Sequence, residues 1–165
     1  MKQKYLDKLE YNKILEILSS YCKTETGKKL ALNLVPSSNK DEVKYMLIQT
    51  MEASNLIKRF GNAPMSEIPN IELYLKALDG NGITTISGIL DLTYVFKQSY
   101  DLKNYFYQKD VIQDDFSSLE CYFSMLYSNT SIIEKVSSCI IDSNTIADNA
   151  SKTLSTIRRK KQNKI

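Results

Sequence analysis

The residues that could do chemistry in this chain are few, and most of the usual ones are missing. There is no histidine. Ser-His-Asp and Cys-His nucleophilic sites, H-E-x-x-H zinc sites and a histidine general base are therefore excluded. The five glycines fall in neither G-x-x-x-x-G-K-[ST] nor G-x-G-x-x-G, so no phosphate cradle is present. Cys22, Cys121 and Cys139 stand far apart without a C-x-x-C pair. They read as small buried hydrophobes in a reducing compartment rather than as zinc ligands or disulfide partners. Paired carboxylates occur at Asp41-Glu42 and at Asp114-Asp115. Both pairs sit at expected helix starts, where negative charge meets the positive end of the helix dipole. Helix capping explains them better than acid–base or metal chemistry.

One charged feature is left. From Ser151 to the end the chain carries Lys152, Arg158, Arg159, Lys160, Lys161 and Lys164 and no acidic residue. Taking those six from the 22 Lys and Arg, against 19 Asp and Glu, leaves the rest of the chain with an acidic excess of three. A basic tail on a mildly acidic body reads either as a solvated helix face or as a contact for nucleic-acid phosphates. The eleven tyrosines, with Tyr105-Phe106-Tyr107 adjacent, have only Lys103 and Lys109 nearby. They read as packing residues rather than as a base-stacking platform.

The elements that must carry these residues are helices. Hydrophobic residues make up 42% of the chain and charged residues 25%, as in ordinary soluble domains. With only 5 Gly and 3 Pro, long helices are favoured over a many-turned β fold. Leu15, Leu18 and Cys22 make the stripe of a first helix opening at Leu9-Glu10-Tyr11-Asn12. Thr24 caps a short second helix with Leu30 and Leu34 facing inward, where Gly27 admits a neighbouring backbone. Asn39 begins a third helix running through Phe60 to an αL Gly61. Ile71, Leu75 and Leu78 form a fourth. Ser87 caps a long helix to about Phe106 with Ile89, Leu92, Phe96 and Leu102 on its inner face. Helices near 116–127 and 131–140 follow. Asp142-Ser143-Asn144 is a turn. Thr145-Ile146-Ala147 is either a short strand or an extended connection. Ser151 caps a last helix that packs through Leu154 and Ile157, and Lys164 lies near its end. The fold class is an all-α bundle of about seven helices. No apolar run is long enough to span a membrane, and no signal-peptide apolar region follows the basic start. A cytoplasmic location is the expectation.

From Leu9 onward the order of features resembles the second type of bacterial MutS protein, the paralogue of the mismatch-repair ATPase that lacks the mismatch-reading domains. The opening resemblance lies in Leu9-Glu10-Tyr11, Ile14, Leu18, Gly27, Leu34, Pro36-Ser37, Glu42 and Glu52-Ala53. The middle offers Pro64 and Ile68-Pro69-Asn70-Ile71. The closing signature is Ile141-Asp142, Ile146, Asp148, Ala150-Ser151, Leu154 and Ile157-Arg158. The family's usual turn glycine is Asn144 here, which keeps αL accessible, and its usual proline after the cap serine is Lys152. The resemblance implies the N-terminal core or lever segment, with residues 1–150 as the helical body and 151–165 as the start of a long helix toward the clamp. It implies a segment that is not itself an enzyme and holds no cofactor, in a parent that is an ATPase and endonuclease. Its partners would be the clamp and ATPase domains of its own chain, a second copy in the full-length protein, and DNA or the ribosome, but no membrane. Recombination suppression and ribosome rescue are both attached to the family. Nucleic-acid contact, where made, would fall to Lys152, Arg158, Arg159, Lys160, Lys161 and Lys164. The alternative is a stand-alone helical module that docks a protein partner.

Overall fold

The structure, a computed structural model, describes residues 3–108 and 113–163. About two thirds of the chain is helical. Nine α-helices are found among the described residues: α1 (Gln3–Lys8), α2 (Tyr11–Ser20), α3 (Glu25–Leu32), α4 (Lys40–Phe60), α5 (Glu72–Asp79), α6 (Ile86–Phe106), α7 (Ser117–Ser124), α8 (Thr130–Cys139) and α9 (Lys152–Gln162). A 3-10 turn (Gln113–Phe116) precedes α7, and strands β1 (Ile140–Asp142) and β2 (Thr145–Ile146) pair antiparallel between α8 and α9. The all-α expectation stands. The helix not foreseen is α1. Glu10 stands in the left-handed region at φ 53° and separates α1 from α2.

The chain divides into two compact units. The first comprises residues 1–70 and 101–126. Its core is Leu56, Phe106, Phe116 and Leu119, with Ala53, Phe60, Tyr105 and Phe123 packed around them. Phe106 is wholly buried, and its ring stacks on Phe123 with centroids 4.2 Å apart. Polar groups fix how α4 meets α7. The Glu52 carboxylate accepts from both the Ser118 amide (3.0 Å) and the Ser118 hydroxyl (2.7 Å), supplying α7 with a cap from a distant helix. Gln49 donates to the Tyr122 hydroxyl at 3.0 Å. Tyr105 donates to the Gly61 carbonyl at 2.6 Å, and burial raises its phenol pKa. Of the adjacent aromatics, Phe106 and Tyr105 pack in this core, while Tyr107 is exposed.

Several local expectations hold. Thr24 accepts from the Gly27 amide, and Asn39 accepts from the amides of Asp41 and Glu42. Others need correction. Leu30 and Leu34 are exposed, and Ala31 is the buried residue of α3. Gly27 makes room for the Thr24 hydroxyl, which a Cβ there would meet at 2.8 Å, and not for a neighbouring backbone. Gly61 has φ 82° but ψ −178°, a positive-φ conformation open to glycine that lies outside αL. Cys121 is exposed, while Cys22 and Cys139 are half-buried.

The second unit comprises residues 71–100 and 127–165. Phe96 meets Tyr127 edge-on at 5.8 Å. Helix α6 starts on Thr85, whose hydroxyl accepts from the Gly88 amide at 3.1 Å; Ser87 is not its cap. Its residues 86–100 are half-buried nearly all round, with Gln98 buried, so the simple inner face expected of it is absent there. Asn129 caps α8 through the Ile132 amide. Asp142 accepts from the Asn144 amide at 2.8 Å and closes the β-turn. Asn144 is not among the described residues with positive φ, so the αL role given to it falls away. An Asx-type bond does that work instead.

Candidate nucleic-acid interface

The basic residues singled out in the tail converge on α9, with the exception of Lys164, which lies outside the described residues. The helix forms for local reasons. Ser151 is extended and its hydroxyl accepts from the Leu154 amide at 3.1 Å. Arg159, Lys160 and Lys161 occupy the last turn, where positive charge offsets the negative end of the dipole.

What α9 buries differs from expectation. Leu154 is half-buried, but Ile157 is 58% exposed. The second inward residue is Arg158, four positions after Leu154 and so on the same face. Its guanidinium donates to the Ile146 carbonyl at 2.9 Å and pairs with the Asp148 carboxylate. Lys152, Arg159, Lys160 and Lys161 are exposed. Lys152, Thr153, Thr156, Ile157 and Lys160 line one shallow groove along the solvent side of the helix.

The segment that receives Arg158 is itself well tied. The Ala147 amide donates to the Cys139 carbonyl at 2.9 Å, and Ala147 is buried. The Ala150 amide donates to the Ala147 carbonyl at 3.1 Å. The Asp142 carboxyl is held below its usual range, first by the Asn144 amide and then by the Thr145 side chain. Sequence reasoning grouped Arg158 with the free cations and gave Asp148 no role. Ile146, Asp148 and Arg158 all belong to the closing signature, but their spacing in the sequence does not show that they meet.

In the first unit an apolar groove of about 410 Å³ runs between the 34–37 connection and α4, lined by Tyr11, Leu34, Val35, Val43, Met46 and Leu47 among others. Among the described residues no cluster of His, Cys, Asp or Glu is placed to hold a metal ion. No described helix is long and apolar enough to cross a membrane.

No family model matches the chain. Curated relatives do, from end to end. The protein called endonuclease MutS2 in Ruminiclostridium cellulolyticum is 35% identical over 159 residues, covering 96% of this chain and 20% of its own length. That of Caldicellulosiruptor bescii is 33% identical over 168 residues, covering 100% and 21%. That of Finegoldia magna is 29% identical over 164 residues, covering 99% and 21%. The chain is a MutS2-like segment. It spans about one fifth of the length of the curated relatives it matches. The MutS2-like match includes the hairpin, Asp148 and α9, because it covers 96–100% of the chain.

Proposed function

We propose that this MutS2-like chain is a non-catalytic helical scaffold, the N-terminal core or lever part of a DNA- or ribosome-binding protein. One observation carries the reading: the match to MutS2 proteins covers 96–100% of the chain but only about a fifth of theirs. The relatives' name, endonuclease, supports a nuclease in the parent, and the family resemblance adds an ATPase, a homodimer and a cytoplasmic setting. Recombination suppression and ribosome rescue are its two candidate roles. In this reading α9 is the start of the helix that leaves the body, and its exposed cations meet nucleic-acid phosphates. Amide exchange in a full-length MutS2-like protein carrying this segment tests the lever role. Protection across residues 139–162 should differ between the ATP and ADP states. Identical protection in both would remove the lever function and leave a passive scaffold.

A stand-alone helical docking module is the second reading. The apolar groove beside α4 favours it, because exposed apolar patches of this kind commonly mark protein contact sites. The gene separates the two readings. A reading frame that continues past Ile165 into a coiled coil and a Walker A motif supports the scaffold, and a stop codon there supports the module.

A further inference from the structure

The six tail cations are not equivalent. Successive residues of an α-helix turn by about 100°, so Lys152, Thr156 and Lys160 form a slowly drifting row, with the two lysines about 12 Å apart along the axis. Arg159, nearly two turns beyond Lys152 and about 20° round the helix from it, flanks that row near its end. Arg158 projects from the far side with Leu154, and it is engaged by a carbonyl and a carboxylate of the 146–148 segment. A planar guanidinium suits that double acceptance, whereas a lysine ammonium is a point donor.

We propose that Arg158 is a positioning residue and not a phosphate contact. It clasps α9 onto the end of the β1–β2 hairpin, and the clasp turns the Lys152–Thr156–Lys160 row outward toward a phosphodiester backbone. The row has the chemistry of a backbone contact: cations spaced along one groove, with the threonines between them. Nothing in it reads base edges. Both duplex DNA and RNA carry this backbone, and the row does not depend on which it meets. The inference rests on the reading of α9 as a nucleic-acid-facing helix, but the clasp is measurable without it.

The test uses the 165-residue chain with Lys152→Gln, Lys160→Gln and Arg158→Gln, titrated against short duplex DNA and duplex RNA over a range of salt. With Arg158 withdrawn, five tail cations remain, and the slope of log affinity against log salt for DNA should be no steeper than about −4.5. K152Q and K160Q should each make it shallower by about one. R158Q should leave the slope unchanged but speed exchange of the Ala147 and Ser155 amides about tenfold, which K160Q should not do. Equal losses in DNA and RNA would fit a backbone contact, and a loss in one alone would overturn it. R158Q lowering the slope by one with exchange unaltered would overturn the clasp and leave the nucleic-acid reading standing. Absence of salt-dependent binding by the unsubstituted chain would overturn the lysine row together with that reading. The exchange arm would then decide the role of Arg158 by itself.

Discussion

At the scale of single residues, the groups that matter are those whose environment differs most from water. Phe106 is the clearest case, wholly buried and stacked on Phe123. Phe106→Ala should destabilise the first unit by about 3–5 kcal/mol, since the transfer and cavity terms add at a site that cannot collapse. Urea unfolding followed by a probe within residues 1–70 measures it, and a loss below about 1 kcal/mol would show that this core is not the one that holds the unit. Asp142 is the opposite kind of residue, exposed but hydrogen-bonded in its ionised form. Its folded pKa lies below the ordinary value of 3.8, so its contribution to the hairpin is complete above that value and is lost as pH falls through the lowered one. The Asn144 amide resonance should therefore titrate with a midpoint below 3.8, and Asp142→Asn should abolish that step. A midpoint at or above the ordinary value would mean that the turn gains nothing from the charge.

At the scale of elements, capping decides where the helices begin. Thr24, Asn39, Asn129 and Ser151 each accept a bond from an amide of the first turn. Three of these were legible, because a Ser, Thr or Asn before an amphipathic run is a local signal. Ser151→Ala should cost about 1 kcal/mol, concentrated in α9. Backbone chemical shifts would show the helix receding from its first turn while α8 is unchanged, and an undisturbed α9 would mean that the Arg158 contacts alone hold it. The elements that were misread share a cause. Leu30 and Leu34 have the spacing of a helical stripe, yet α3 ends at Leu32 and the residue that fits inside is Ala31. Periodicity finds an apolar face but does not say how closely another helix approaches it. In α9 the same rule chose Ile157, whereas an arginine with two acceptors takes the inward position.

At the scale of the whole molecule, surface area is the informative quantity. Large apolar side chains stand in solvent, among them Ile17, Tyr21, Leu30, Leu47 and Met51, each more than half exposed. Such a surface suits a segment that packs against more protein. The native chain should therefore enhance the fluorescence of an apolar dye such as ANS, and Leu47→Lys should reduce the enhancement. A native chain that binds no dye would remove this argument for missing neighbours.

The amino-acid sequence by itself determined the class of the molecule and its punctuation. Low glycine and proline content, 3.6-residue spacing and polar caps are all local, and each acts within a few residues of itself. The lack of histidine and of a phosphate loop was equally plain without coordinates. Only the tertiary structure decided which apolar residues are covered, that Glu52 of α4 caps α7, and that Arg158 serves the hairpin. These depend on groups brought together from distant positions, or on the distance between surfaces, and neither quantity is written in the spacing of one helix. Lys152 and Lys160 read the same as Arg158 in a list of charges. They differ because Ile146 and Asp148 offer their oxygens to one side of α9 and leave the other side to solvent.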